Sequence, residues 1–356
     1  MRERDDERFM RAALRQAAKG VGKTSPNPAV GAVLVCGRDV IAKGYHRTAG
    51  TAHAEVDCLA NLGKTVPPDA TLYVTLEPCS TSGRTPPCTD TLIHSGIRRI
   101  VVGAVDPNPR HAGRGLEVLR NAGIEVRSDI LAAECSALNK PFNKWIQTGQ
   151  PYVIAKCGMS LDGRLTTPEG SSRWITSAAS RRHANRRRAM VDAVMVGAET
   201  VRKDNPRLTL REGKHSRQPW RVVLSRSGSL PQTAHLFSDR YAERTLVFGD
   251  ESLQSVLTKL GQREITSVLL EGGGQILAQA LDYRLIDRLE LYLGSIFTGG
   301  PVLAFGGNGA GSTAEALRLA ELSYERIGSD IFVSGEVASF PTPEEQSCAT
   351  SRRLFS

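Results

Sequence analysis

Four side chains in this sequence are best equipped for chemistry: His53, Glu55 two residues later, and then Cys79 and Cys88. One imidazole and two thiolates give three good ligands for Zn²⁺ and leave a fourth tetrahedral position open to water. A metal there brings the pKa of its water toward ~7, so hydroxide is available at neutral pH. A carboxylate alongside can take the water's proton and hand it to a leaving amine. The chemistry this implies is hydrolytic deamination at an amidine-like ring carbon, with His53, Cys79 and Cys88 on the metal and Glu55 shuttling the proton. Singly, each of these residues is more often a core side chain. Together, with Pro78 directly before Cys79, chance is a poor account of them.

The elements around them must bring these groups together. Thr71–Leu76 is β-branched and apolar, which predicts a strand delivering Cys79. Cys88 follows Pro86-Pro87 and opens a predicted helix to His94, where free N–H groups and the helix dipole favour a thiolate. Residues 53–62 read as a helix that starts at His53. Positions i and i+2 on a helix diverge by about 200°, given 3.6 residues per turn. His53 and Glu55 therefore converge only if the site lies across the helix end. Around this segment, Phe9, Met10, Ala13, Leu14 and Ala17 recur at helical spacing before Gly20 and Gly22. Residues 29–35 read as a buried strand with 40–44 as its hairpin partner. Further strands are predicted over 99–105 and 124–126, and a helix over 115–121. This alternation predicts an α/β domain with a mostly parallel or mixed sheet and helices on both faces.

The chain has 356 residues, comfortable for two domains. Gly149 and Pro151 break the pattern, so the first domain is placed at 1–148 and a second at 149–340, with a polar, proline-containing tail at 341–356 that reads as disordered. In the second domain, strands are expected at 152–157, 193–197, 221–225, 245–248, 266–270, 288–293 and 330–335. Helices are expected at 177–190, 251–260 and 274–283. Seven cysteines at irregular spacing argue against a disulfide framework. No apolar run reaches the ~18 residues needed to span a bilayer, and the mixed-charge N-terminus is not a signal peptide. These features predict a cytoplasmic protein without membrane contact. The net charge of +9 suits phosphorylated small molecules, whereas an aromatic content of only 5% leaves little stacking surface for nucleic acid.

The His-x-Glu and Pro-Cys elements are those of zinc nucleobase deaminases, except that eight residues rather than two separate the cysteines. That longer loop, Pro78-Cys79-Ser80-Thr81-Ser82-Gly83-Arg84-Thr85-Pro86-Pro87-Cys88, resembles the zinc loop of the bifunctional riboflavin-biosynthesis deaminase–reductase family. Ser25-Pro26-Asn27-Pro28-Ala29-Val30-Gly31, Gly44-Tyr45-His46 and Asp106-Pro107-Asn108-Pro109 agree with it. So do Ser160-Leu161-Asp162-Gly163-Arg164 and Ser172-Arg173-Trp174-Ile175-Thr176-Ser177, and the resemblance reaches to about residue 335.

The resemblance implies a cytidine-deaminase-like α/β/α domain followed by a dihydrofolate-reductase-like α/β domain, and with them Zn²⁺ and NADPH. It also implies a phosphorylated pyrimidine substrate, no nucleic acid, and a homo-oligomer. The expected reactions are deamination of 2,5-diamino-6-ribosylamino-4(3H)-pyrimidinone 5′-phosphate, then reduction of the ribosyl group to ribityl. It places Asn27, His46, Arg84, Asp106 and Asn108 in the first pocket. Asn and Asp can read a pyrimidine edge, and His46 and Arg84 can meet a phosphate. Turn chemistry beside proline is an alternative role for Asn27 and Asn108, and a loop cap for Asp106.

In the second half, Gly272-Gly273-Gly274 lies between a predicted strand and a predicted helix, an arrangement that points bare N–H groups at a phosphate but is also that of a plain tight turn. The resemblance assigns Gly158, Trp174, Thr200, Asp204, Gly273, Gly274, Gln275 and Ile276 to the cofactor. It assigns Ser172, Arg188, Leu208, Arg211 and Glu271 to the substrate. The basic run Arg181–Arg188 spreads around a helix and reads as a solvated face with Arg188 turned inward. No proton donor for the hydride step stands out; Lys156 and Asp162 are candidates, the latter competing with a turn role.

Two positions depart from the family pattern. Thr81 stands where the family usually has His, which predicts altered substrate affinity with the chemistry intact. Ser295-Ile296 replaces a common Pro-Lys. An enzyme with one impaired half-reaction, a tRNA or nucleoside deaminase with an accessory domain, and a zinc-stabilised binding protein are the competing readings.

Overall fold

The computed structural model describes residues 2–81, 86–169, 174–211, 217–313 and 315–338. Arg84, Ser172 and the 341–356 tail lie outside these residues. The first half runs α1 (Arg2–Ala17), β1 (Gly31–Cys36), β2 (Asp39–Tyr45), α2 (Ala54–Leu62), β3 (Thr71–Leu76), α3 (Cys88–His94), β4 (Arg99–Ala104), α4 (Arg114–Asn121), β5 (Glu125–Arg127), α5 (Ala132–Leu138) and α6 (Lys140–Thr148). Its five strands lie in the order β2-β1-β3-β4-β5, antiparallel on either side of β1 and parallel from β3 onward.

Strand residues alternate between faces, which decides how the sheet is covered. Leu34, Leu72, Val74, Ile100 and Val102 meet Cys58, Leu92 and Leu119 of α2, α3 and α4 on one side. Val33, Val35, Tyr73 and Val101 meet Phe9, Met10 and Ala13 of α1 on the other. Both faces are thus buried, and the strands read as continuous apolar runs. Gly44 allows α2 to approach closely: a Cβ there would fall 2.2 Å from the Cys58 amide.

The second half runs β6 (Tyr152–Ser160), α7 (Ala178–Arg187), β7 (Ala193–Gly197), α8 (Ala198–Asp204), β8 (Trp220–Leu224), α9 (His235–Ser238), β9 (Thr245–Phe248), α10 (Leu253–Gln262), β10 (Ser267–Leu270), α11 (Gly274–Asp282), β11 (Arg288–Gly294), β12 (Leu319–Ile327) and β13 (Asp330–Val337). Its eight-stranded sheet has the order β12-β13-β11-β6-β10-β7-β8-β9. Strands β11 through β9 are mutually parallel, and β13 and β12 add an antiparallel edge. The helix expected over 177–190 ends earlier, at Arg187, with a single tighter turn over Arg188–Met190. Strand β12 has no counterpart among the sequence expectations. It is exposed along nearly its whole length, and its apolar alternation is confined to Leu322-Ser323-Tyr324-Glu325.

The halves are pinned to one another. Gly149, left-handed at φ 70°, ends α6. That helix is tied to the second sheet's side by Trp145 Nε1 to Gly261 O (2.9 Å) and Lys144 Nζ to Asp287 Oδ2 (2.6 Å). A second link is the carboxylate of Asp192, 3% exposed. Its Oδ2 accepts from Ser25 Oγ (2.6 Å) of the first half and from the Thr266 amide and hydroxyl (both 2.8 Å), while Oδ1 accepts from Arg217 (2.8 Å). No helix among the described residues is long and apolar enough to cross a membrane.

Candidate active site

His53 is the residue that caps α2 and has extended backbone, φ −71° and ψ 166°, while Glu55 sits in the first helical turn. The two side chains therefore meet across a helix end, as the i, i+2 spacing requires. Cys79 leaves the end of β3 and Cys88 opens α3. The ligand atoms of His53, Cys79 and Cys88 all lie within 4.8 Å of one another. His53 Nδ1 is 3.1 Å from Cys88 Sγ and 3.6 Å from Cys79 Sγ, and the Cys88 amide donates to Cys79 Sγ at 3.3 Å. Hydrogen bonds donated to its sulfur by Cys88 and by His53 hold the Cys79 thiol well below its ordinary range, despite burial. One imidazole nitrogen, one stabilised thiolate and a second thiol converging in a buried corner fit a zinc ion.

Glu55 is buried, in hydrogen-bond contact with Cys88, and burial pushes its carboxyl up to about 7. His46 is also buried, at 2% exposure. Its Nε2 meets Asn27 Nδ2 at 3.1 Å and its Nδ1 meets Ala52 O at 3.1 Å. Burial lowers its pKa, and both nitrogens are committed to positioning Asn27 and the α2 approach. Burial likewise raises Asp106. Asp106 Oδ1 accepts from the Asn108 amide (2.8 Å), and Asn108 Oδ1 accepts from the Arg110 amide (3.0 Å), so both also shape their own loop.

Glu77 is the residue that sequence reasoning missed here. Its buried carboxylate accepts from the amides of Asp106 (3.1 Å), Gly113 (2.9 Å) and Gly115 (2.8 Å). It ties the 106–115 loop to the strand end that carries Cys79. The signal was an acidic side chain at the end of an otherwise apolar strand, directly before Pro78.

The second half contains a cleft of about 2730 Å³ at the carboxyl ends of β6, β7, β8 and β10. Such ends are where open α/β sheets bind ligands. Gly158, Trp174, Arg188, Thr200, Asp204, Leu208, Arg211, Glu271, Gly273, Gly274, Gln275 and Ile276 all line it. Gly273 caps α11, so the helix's free amides open on the cleft. Gly274 is required by close approach, since a Cβ would lie 2.0 Å from Leu303 O. The Thr166 hydroxyl, buried in the cleft wall, has no partner among the described residues. A glycine turn, a helix N-terminus and an orphan hydroxyl in one cleft fit a dinucleotide.

Arg188 forms a two-pronged pair with Glu271, Nε to Oε1 at 2.7 Å and Nη2 to Oε2 at 3.0 Å. Burial raises the Glu271 pKa, but Arg188 and Lys156 outweigh it and hold the carboxyl down at about 2. Lys156 Nζ stands 4.0 Å from Glu271 Oε2. Leu208 has left-handed backbone, φ 53°, with its side chain buried, and such strain clusters at functional sites. Asp162 braces a loop: it accepts from the Thr298 (3.1 Å) and Gly299 (2.8 Å) amides, and hydrogen bonding with Ser160 and these amides holds it at about 2.

A zinc deaminase domain followed by a reductase domain defines a two-site enzyme class. Residues 3–104 match the cytidine and deoxycytidylate deaminase zinc-binding region, and residues 151–333 match the RibD C-terminal domain. The chain is 38% identical to the riboflavin biosynthesis protein RibD of Aquifex aeolicus over 92% of its own length and 97% of the relative's. It is also 38% identical to the Escherichia coli protein, over 81% and 87%. The solved structure of Acinetobacter baumannii RibD superimposes with a TM-score of 0.88 at 35% identity, covering 95% of this chain and all of that one.

The chain belongs to the RibD family. It is a bifunctional enzyme of riboflavin biosynthesis, a zinc-binding deaminase joined to a dihydrofolate-reductase-like reductase, acting on a small-molecule substrate.

Proposed function

We propose that the chain carries out two consecutive steps: hydrolytic deamination of 2,5-diamino-6-ribosylamino-4(3H)-pyrimidinone 5′-phosphate, then NADPH-dependent reduction of the ribosyl group to ribityl. One observation carries the reading. The His53–Cys79–Cys88 cluster with buried Glu55, and the glycine-turn cleft with Glu271, Arg188 and Lys156, occur in a single chain. A Thermotoga maritima relative of known structure, 35% identical, is described as a diaminohydroxyphosphoribosylaminopyrimidine deaminase and 5-amino-6-(5-phosphoribosylamino)uracil reductase.

In the first site, His53, Cys79 and Cys88 would hold one zinc ion per domain, which supplies Lewis acidity for attack by water at the ring carbon. Glu55 takes the water's proton and delivers it to the departing amine. Asn27, held by His46, and Asp106 with Asn108 read the pyrimidine edge, while Arg84 meets the phosphate. In the second site, NADPH supplies hydride. Gly158, Trp174, Thr200, Asp204 and Gly273 through Ile276 hold it. Ser172, Arg188, Leu208, Arg211 and Glu271 hold the substrate, with Arg188 fixed by Glu271. Of the two candidate proton donors, Asp162 is a loop brace, which leaves the Lys156 ammonium beside Glu271.

Zinc-replete protein given the diaminopyrimidine phosphate and NADPH tests this by chromatography of both products. The expected result is ammonia release followed by NADPH consumption; absence of the deaminated pyrimidine overturns the reading. We also read the protein as a cytoplasmic homo-oligomer. Supporting the oligomer, the edge formed by β12 and β13 exposes Leu322, Tyr324 and Ile331, which light scattering can test.

A further inference from the structure

We infer that His111 is a substrate-contacting residue of the deaminase pocket, donating a hydrogen bond to the phosphate end of the substrate. The inference rests on the deaminase function proposed above. His111 lies on the loop between β4 and α4, and that loop is firmly held. Buried Glu77 accepts from the loop's Asp106 and Gly113 amides and from Gly115 in the first turn of α4. Asp106 in turn accepts from the Asn108 amide, and Asn108 O accepts from the amides of His111 and Ala112, both at 2.9 Å. A continuous run of hydrogen bonds therefore leads from the residue two before Cys79 to His111.

This places His111 Nδ1 3.5 Å from Thr81 Oγ1, two residues beyond Cys79 on the facing loop. The imidazole thus faces the segment that leads from Cys79, two residues beyond that member of the metal cluster. It stands close enough to Asp106 for the two to feel one another's charge. Nδ1 faces the Thr81 hydroxyl, while Nε2 has no hydrogen-bond partner among the described residues and is open to a ligand. The other imidazoles of the pocket are spent: His53 belongs to the metal cluster, and both nitrogens of His46 are bonded within the protein. The family pattern would put a histidine at position 81. Here an imidazole reaches the same spot from the other loop. His111 shares its loop with Asp106 and Asn108, the groups proposed to read the pyrimidine edge, and so can meet the far end of a substrate held by them.

Steady-state kinetics of the full zinc-replete chain test this, using the 5′-phosphorylated substrate and its dephosphorylated counterpart. His111→Ala should raise the deaminase KM about tenfold on the phosphorylated substrate and leave kcat within about twofold, the signature of a contact made equally in ground and transition states. His111→Gln, which keeps a donor, should fall between. Adding Thr81→His to His111→Ala should recover most of the lost KM. On the dephosphorylated substrate the wild type and His111→Ala should coincide. An unchanged KM in His111→Ala overturns the contact. An equal effect on both substrates overturns its assignment to phosphate. A wild-type chain that deaminates neither compound overturns the proposed function and this inference together, so the two failures are distinguishable. Zinc content and reductase rate report whether each variant is folded.

Discussion

The zinc site and the reductase cleft are built in opposite ways. The candidate zinc site gathers its chemistry from side chains within 36 residues, between His53 and Cys88, and each proposed ligand sits at an element end: the cap of α2, the exit of β3, the entry of α3. The reductase cleft draws on residues from 156 to 308 and relies on backbone, with the glycine turn at 272–274, the strand ends and the α11 amides doing much of the shaping. The lesson is that a site made of ligating side chains depends on a few identities, while a site made of backbone and paired charges depends on how its walls are supported. The first should fail by loss of chemistry, the second by loss of structure or affinity.

Removing zinc should separate the two most sharply. Chelation should abolish deamination while NADPH oxidation on already deaminated substrate continues, followed by ammonia release and absorbance at the cofactor band. If both halves die together, the sites are not independent. Glu55→Gln should lower deaminase kcat by about 10²- to 10⁴-fold, with zinc content and reductase rate retained. Survival of deamination would remove Glu55 from the mechanism.

Arg188→Ala should act through structure as well as binding. It leaves Glu271 as a buried carboxylate short of its partner, a loss of about 3–5 kcal/mol in comparable pairs. Glu271 is depressed from its ordinary 4.5 to about 2. The pair's stabilisation is therefore complete above 4.5 and disappears as pH falls through about 2. The difference in Tm between wild type and Arg188→Ala should accordingly shrink as pH is lowered through this window. A difference that grows on acidification would contradict the pairing. The smallest effect is expected from Glu77→Gln. An amide has one accepting oxygen where three N–H groups need partners, so the 106–115 loop should loosen. A deaminase KM raised about fivefold with near-normal zinc content is expected, on the basis of about 1 kcal/mol per weakened hydrogen bond.

The same contrast explains what the sequence could disclose. His53, Glu55, Cys79 and Cys88 were legible because their types and spacing are chemically unusual, and the helix-end geometry followed from the i, i+2 spacing alone. The strands at Thr71–Leu76, Ala193–Gly197 and Thr245–Phe248 were legible because they are short apolar runs between turn signals. Strand β12 was not, because its alternation is brief, Leu322-Ser323-Tyr324-Glu325, and breaks at Arg326. Neither was α8, whose seven residues, among them Lys203 and Asp204, give too few turns for an apolar face to repeat. Of the cleft, only the glycine turn had a local signature; Gly158, Thr200 and Leu208 became candidates through resemblance, since what makes them neighbours is the order of strands in the sheet. Glu77 and His111 escaped because their roles depend on which loop each one faces.

The Asp192 carboxylate gives the covalent union of the two halves a further meaning. Ser25 supplies one of its four hydrogen bonds, and Ser25 sits two residues ahead of Asn27. Cut the chain between the halves, and that contact becomes an encounter between separate molecules; keep it joined, and the linker confers an effective concentration of roughly millimolar order. At such a concentration even a few hydrogen bonds help to hold the halves in register. Covalent linkage thus turns the contacts of α6, Asp192 and the tightly packed Gly22 into intramolecular ones, which a split enzyme would have to recover by association.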